Sequence, residues 1–273
     1  MKEPQNSMSG ELSKLHAERL AAIEAAADPV HTIPSQYPSG YHVAAHRHSR
    51  AQFVYARTGV LMVSSRQGRW MVPPEHALWI PAELDHSVDM LGEVTMLSAY
   101  ISSDALVALP EAIRVVGLTD LARALIVEAV SPAGNVGSSR RKRLIVALLL
   151  EEIARLPDRQ LGLPIPGDAR LAGLCRAFLA SPTARLLIDD WAEQLNMSRR
   201  AFTRAFRRET GISLSTWRQQ AALFTALPRL AAGESVTSVA IDLGYESVAA
   251  FTTMFKRMLG APPRTYFRTA DPV

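Results

Sequence analysis

The second half of the chain is written twice. Ser198, Phe202, Phe206, Gly211 and Trp217 recur as Ser247, Phe251, Phe255, Gly260 and Tyr266, each 49 residues on. Ala192, Leu195 and Asn196 recur as Ala240, Leu243 and Gly244, 48 residues on. The one-residue slip falls in a turn, where an insertion is tolerated. Two units are too few for a solenoid. Each reads helix, tight turn, helix, the helix-turn-helix pattern. Two such units closing a basic chain point to DNA.

The charge supports that reading by where it lies. Residues 168–273 carry 14 Lys+Arg against 9 Asp+Glu, a net +5, and residues 1–167 a net −1. Positive charge therefore travels with the repeat, as a nucleic-acid-binding half requires. A length of 273 residues with 48% hydrophobic content predicts two domains with real cores. The single cysteine, Cys175, excludes an intrachain disulfide framework and a multi-cysteine zinc site. No apolar run reaches membrane-spanning length, and Met1–Gly10 lacks the apolar core of a signal peptide. A reducing bacterial cytoplasm is the expected compartment, with no membrane partner.

Five segments are expected. Residues 1–30 form an N-terminal helical arm, with a helix over 11–27 ending near Asp28-Pro29. Residues 31–105 hold many short strands, punctuated at Pro38-Ser39-Gly40, Thr58-Gly59, Gln67-Gly68 and Pro73-Pro74, hence a small antiparallel barrel or sandwich. Residues 106–157 are helical, with helices at Leu118–Val130 and Ser139–Leu156, and serve coupling and dimerisation. Residues 158–167, within the Pro/Gly-rich stretch Pro157–Gly167, are a linker. Residues 168–273 are all helix and turn.

In the first repeat unit Asp189–Leu195 is a short helix and Asn196 takes a left-handed turn position. Ser198 caps a helix over Arg199–Thr210 that Gly211 stops. Phe202 and Phe206 face inward, leaving Arg199, Arg200, Thr203, Arg204, Arg207 and Arg208 on the other faces. Guanidinium forks on a short helix suit guanine edges and phosphates. The plain alternative, a solvated basic face, does not account for the repetition. In the second unit Val236–Leu243 is the first helix, Gly244 makes the turn, and Ser247 caps a helix running to Leu259. Its outward residues, Ala249, Thr252, Thr253 and Lys256, are less basic, so weaker base readout is expected there.

Ala240, Gly244-Tyr245, Ser247, Phe251, Phe255-Lys256, Gly260, Pro263 and Tyr266 resemble the signature of the AraC/XylS family of bacterial transcription regulators. The resemblance spans residues from about 170 to 268. It implies two helix-turn-helix units flanking a linker helix, here Leu214–Leu230; Pro228 near its end departs from that pattern and is expected to end the helix early. It also implies two recognition helices entering successive major grooves, roughly 34 Å apart.

Six of the seven histidines fall in residues 31–86. Gly40-x5-His46-x-His48-x3-Gln52-x6-Gly59 resembles the first cupin motif, with Gln52 where many cupins carry Glu. Gly68-x5-Pro74 and Pro81-x-Glu83-x2-His86 resemble the second, with Glu83 in place of a glycine. The resemblance implies a small antiparallel β-barrel with a ligand or metal inside. His46 and His48 are expected to alternate onto one strand face, Gln52 to begin the next strand, and His86 to approach from another. Two readings of His46, His48, Gln52 and His86 stand: a divalent metal site, or a metal-free polar pocket. His16, His31, His42 and His76 read as surface or core residues, and Trp70 and Trp79 as core.

The whole chain thus reads as a one-component regulator of mixed α and β structure. A cupin-like sensor barrel takes a small-molecule or metal effector, and an all-α domain binds double-stranded promoter DNA. A homodimer is expected, with RNA polymerase as a further partner and no catalytic residues. The alternatives are a metal-dependent cupin enzyme fused to a DNA-binding module, with Glu75, Glu83 and Asp85 as the acids in reach, and an architectural DNA binder.

Overall fold

The computed structural model describes residues 3–105, 110–131, 140–159, 161–185 and 187–266. Two compact units emerge: Met1–Ser65 with Trp70–Gln160, and Arg66–Arg69 with Leu161–Val273.

The first unit opens with α1 (Glu3–Ala25), longer at its start than the sequence pattern suggested. Strands follow: β1 (Val30–Tyr37), β2 (His42–His46), β3 (Ala51–Ser65), β4 (Gly68–Val72), β5 (His76–Ile80) and β6 (His86–Ile101). They pair in the order β1-β6-β3-β5, with β2 also on β6 and β4 on β3. The expected barrel of short strands is instead organised by two long ones, of 15 and 16 residues. Register shifts between Ala56 and Val60 interrupt their antiparallel ladder. Gly59 sits there at φ 69, where an added Cβ would meet Glu93 O at 2.7 Å. Only glycine fits this bulge, and the bulge lets a long strand bend.

Both faces of β3 are covered. Phe53 and Tyr55 join Trp79, Leu97 and Ile101 in a core that includes Ile126, Leu149 and Ile153 from two helices, α2 (Asp120–Val130) and α3 (Arg140–Arg155). The alternate residues Gln52 and Val54 face the barrel interior. This double burial explains why Ala51–Ala56 shows no polar alternation. Trp79 is fully buried, and its indole N–H donates to Pro110 O at 2.8 Å. Thr119 caps α2 by accepting from Ala122 N. Ser139, expected to open the third helix, lies outside the described residues.

The stretch expected to be wholly helical contains a strand, β7 (Arg114–Gly117), antiparallel to β5. Its short run Arg-Val-Val-Gly buries Val115 and Val116, and four residues are too few to show a period. The stretch expected to be a linker contains β8 (Asp158–Arg159), paired with β7, and β9 (Gly162–Pro164). Gln160, between them, lies outside the described residues.

The second unit is helical beyond β9: α4 (Ala169–Ala180), α5 (Ile188–Gln194), α6 (Arg199–Thr210), α7 (Leu214–Ala231), α8 (Val236–Asp242), α9 (Val248–Leu259) and α10 (Pro263–Tyr266). Side-chain caps start most of them, from Asp168, Ser198, Ser213, Ser235 and Ser247. Gly211 and Gly260 end α6 and α9 in the left-handed conformation, at φ 75 and 83. The helix α7 runs through Pro228 rather than ending early. Proline removes one hydrogen bond from its last turn. Burial of Phe224, Leu227 and Leu230 around that position holds the helix.

Candidate functional site: two exposed helices and a histidine cavity

In the second unit, each repeat builds its own aromatic core. Trp191 lies 6.1 Å from both Phe202 and Phe206, centre to centre, and Trp217 lies 6.1 Å from Phe206. In the second repeat Phe251 stands 5.3 Å from Tyr245 and 5.9 Å from Phe255, and Tyr266 closes on Phe255 at 5.4 Å. All four phenylalanines are buried. Asn196 holds φ 54 and Gly244 φ 75, so both turns use the left-handed backbone. The remaining turn carbonyls are met from outside the repeat. Arg170 donates to Leu195 O at 2.7 Å, and Ala184 N donates to Leu243 O at 2.8 Å. These two braces fall at repeat-equivalent positions and come from the segment around α4, which sequence reasoning left unassigned.

The inward phenylalanines fix what faces out. Arg200, Thr203, Arg204 and Arg207 are exposed on α6 at i, i+3, i+4 and i+7, one helical face. Adding 49 gives Ala249, Thr252, Thr253 and Lys256, the same face of α9; all are exposed except Thr252, which is partly buried. Ser247 is exposed at the head of that helix and caps Ala250 N at 3.1 Å. The arginines of α6 differ in their ties. Arg199 pairs with Asp189 at 3.3 Å and Arg208 with Glu209 at 3.3 Å. Among the described residues, Arg200, Arg204 and Arg207 have no acidic partner within 4.0 Å. Thr203 Oγ1 donates to Arg199 O at 2.8 Å, within the helix. The surface therefore offers three free guanidinium groups on one repeat and one ammonium on the other.

In the first unit the structure gathers histidines. His46 and His86 are cross-strand partners on β2 and β6. Their ring centres lie 4.4 Å apart, with His48 5.2 Å from His86 and 6.1 Å from His46. One ligand nitrogen from each ring lies within 4.8 Å of the others. The expectation that His46 and His48 share a strand face is corrected: β2 ends at His46, and His48 lies in the turn before β3. That turn is fastened on both sides. Glu83 N donates to His48 O at 2.9 Å, Ser49 N donates to Glu24 of α1 at 2.8 Å, and buried Arg50 donates to Asp28 O at 2.7 Å.

Each ring of the trio is anchored by Nδ1 on a backbone carbonyl: His46 on Ala44 at 2.9 Å, His48 on Arg50 at 2.5 Å, His86 on Leu84 at 2.8 Å. A carbonyl only accepts, so at His46 and His86 Nδ1 carries the proton and Nε2 presents its lone pair, whereas His48 faces the Gln52 amide oxygen through Nε2. Metal-ligating histidines are oriented in this way. Gln52 Oε1 lies 3.3 Å from His48 Nε2, while its amide nitrogen lies 3.0 Å from Ser98 Oγ and from the Tyr100 hydroxyl. Burial keeps the imidazoles neutral, pushing His86 down to about 3 and lowering His46 and His48. The residues thus fit a transition-metal ion, and buried His86 Nε2 has no hydrogen-bond partner.

Sequence reasoning missed His16. Lacking a partner at useful spacing, it reads from sequence as a surface or core residue, yet its ring sits edge-on to His46 at 4.6 Å and lines the same cavity. His42 instead pairs with exposed Asp89 at 2.7 Å, and His76 hydrogen-bonds Pro74 O at 3.0 Å; neither belongs to the cluster. Glu75 and Glu83 stand in turns and Asp85 in the loop just before β6, as expected of loop residues. Glu83 adopts φ 61, the backbone reason a glycine suits its position.

Known proteins divide the chain in the same way. The family described as "AraC-like ligand binding domain" matches residues 28–149, and that described as "Helix-turn-helix domain" matches residues 191–269. The HTH-type transcriptional regulator NimR of Escherichia coli is 31% identical over 221 residues, 81% of each chain. The HTH-type transcriptional regulator RipA of Corynebacterium glutamicum is 30% identical over 43% of this chain and 36% of its own. Among solved structures, ToxT from Vibrio cholerae aligns over 90% of this chain and 99% of that one, at 12% identity and a TM-score of 0.39. The relatives are regulators rather than enzymes, and with its ligand-binding and helix-turn-helix halves this chain belongs to the AraC family of DNA-binding transcription regulators.

Proposed function

We propose that α6 reads operator bases and that α9 holds the adjoining DNA mainly by its backbone, with promoter affinity set by an effector in the N-terminal barrel. The observation that carries this division is the matched pair of helix faces. Arg200, Arg204 and Arg207 are exposed and unpaired among the described residues, whereas Ala249, Thr252 and Thr253 offer little to a base edge. Arginine forks discriminate bases; short hydroxyls and one lysine chiefly position a duplex. The histidine-lined cavity of the barrel supports an effector site, with His46, Gln52 and His86 among its polar groups and His48 packed against His86 beside it.

A homodimer belongs to the same proposal. Leu144 and Leu148, one turn apart on α3, are 59% and 42% exposed and line one shallow groove with Leu125 of α2. Apolar side chains in such a patch favour a second copy of the chain. Residues 106–157 would then couple sensing to DNA, in the cytoplasm and with RNA polymerase as a partner. No described helix is long and apolar enough to cross a membrane. Footprinting on a mapped operator tests the division of labour. Base substitutions facing α6 should abolish protection, and those facing α9 should be tolerated. Equal stringency in both grooves would refute it.

A further inference from the structure

We propose that the DNA-binding unit carries a ligand site of its own, a cleft beside α7 that takes a small organic carboxylate on Arg218. The inference goes beyond the reading of the barrel as an effector site and does not depend on it.

Three observations carry it. The first is room. A cleft of about 170 Å³ opens within the second unit, against about 20 Å³ inside the barrel. One water molecule needs only about 10–15 Å³ of such space. Phe178 of α4 and Ala222 of α7 supply apolar wall, and Thr183, Ser215, Arg218, Gln219 and Tyr245 bring polar groups to it. An apolar wall with a few converging polar groups is the make-up of a small-molecule site.

The second observation is a charge without a counter-ion. Among the described residues Arg218 has no acidic partner within 4.0 Å, and its one hydrogen bond runs from Nη2 to Ala184 O. Its Nε is buried and partnerless. One carbonyl leaves most of the five donors of a guanidinium unused. Burial disfavours the charge, holding the group below the ordinary arginine range. No carboxylate is among the described residues that line the cleft. An anion supplies the missing charge and accepts the unused donors.

The third is the polarity of the groups around it. Arg257 of α9 donates to Gln219 Oε1 at 2.7 Å, so the amide nitrogen, a donor, is what Gln219 has left to offer. Thr183 Oγ1 accepts from Arg185 N at 3.2 Å, which leaves its proton to give. Hydroxyls, an amide nitrogen and a guanidinium thus border one space with donors, and donors select an oxyanion. One guanidinium matches a single negative charge, and the apolar wall favours an organic body over inorganic phosphate. The same groups tie α7 to the second helix-turn-helix unit. Ala184 accepts from Arg218 and donates to Leu243 O at 2.8 Å, at the turn before α9, and Gln219 holds Arg257. A bound carboxylate therefore fastens that unit to α7.

The test follows trifluorobutyrate by fluorine NMR in the presence of the full-length protein. Saturable line broadening at low millimolar concentration is expected, with a rise in melting temperature, because the ligand binds the folded state alone. Trifluorobutyramide, its uncharged twin, should do neither. Gln219→Glu keeps an acceptor for Arg257 and sets a carboxylate in the cleft, so affinity should fall at least about tenfold by like-charge repulsion, while the unliganded variant melts as the wild type does. Arg218→Gln should lose binding as well. No saturable broadening, equal broadening by the amide, or wild-type affinity in Gln219→Glu would overturn the site. A final arm adds duplex DNA, whose backbone phosphate carries the same single charge. Displacement of the probe by operator and scrambled duplexes alike would assign the cleft to a backbone phosphate and overturn the free carboxylate. Probe retained on the DNA complex upholds it.

Discussion

Replacing Arg204 with alanine removes an exposed guanidinium that, among the described residues, has no acidic partner. The folded chain therefore loses nothing it depends on. Surface changes of this kind alter stability by no more than about 0.5 kcal/mol. Any larger effect must lie in the complex. A bidentate contact to guanine discriminates by roughly 1–3 kcal/mol, which is about 5- to 150-fold in affinity. The variant should lose that factor on the operator and almost nothing on unrelated DNA, so specificity falls. Arg207→Ala, one turn further along the same face, should behave oppositely. It should weaken all sequences alike and reduce the slope of log affinity against log salt by about 0.9. Arg199→Ala removes a group that pairs with Asp189 at 3.3 Å and should weaken operator binding less than Arg204→Ala. Fluorescence anisotropy at two salt concentrations, on operator and scrambled duplexes, measures all three. Wild-type operator affinity in the Arg204 variant, with unchanged melting temperature, would falsify the base-reading role. Loss of affinity that is uniform across sequences would reassign Arg204 to the phosphates.

Other consequences are sharper for being local. Gly244→Ala forces a side chain onto φ 75 and places its Cβ 2.8 Å from Thr183 Oγ1, so thermal unfolding should show at least about 1–2 kcal/mol of destabilisation. Ser198→Ala deletes the cap on Ala201 N and should cost about 1 kcal/mol of stability, detectable by urea unfolding. Lys256→Ala should lower the salt dependence of binding without changing base preference in the second groove. Leu148→Glu places a charge on the exposed apolar patch of α3 and should shift full-length protein toward monomer in sedimentation equilibrium. A wild type that is already monomeric far above cellular concentrations would refute the dimer.

What the sequence made legible is what local chemistry decides. Caps, left-handed turn residues and inward phenylalanines act over a few residues, so Ser198, Asn196, Gly211, Phe202 and Phe206 could be placed from their order alone, and the repeat checked each placement against its copy. Pro228 was misjudged because propensity is a local cost, and the buried apolar residues around α7 outweigh it. The strand β7 was missed for the opposite reason: four residues carry no periodic signal, and their structure comes from pairing with β5.

The histidine cluster marks where such reasoning stops. Spacing brought His46, His48 and His86 together through a resemblance, but for a partly mistaken reason, since a turn held by Glu24, Arg50 and Glu83 places His48, not strand alternation. His16 carries no spacing signal at all. It is 30 residues from His46, on an element of different type, and only the docking of α1 brings the rings within 4.6 Å. The same holds for the braces on the two helix-turn-helix units, where Arg170 and Ala184 reach carbonyls 25 and 59 residues away. The two exposed helix faces are thus specified by short-range pattern, while the histidine cluster, and the braces on the two helix-turn-helix units, are specified by tertiary contact. A regulator divided in this way can change the lining of its barrel through scattered long-range substitutions while the register of its exposed helix faces stays fixed by residues one helical turn apart.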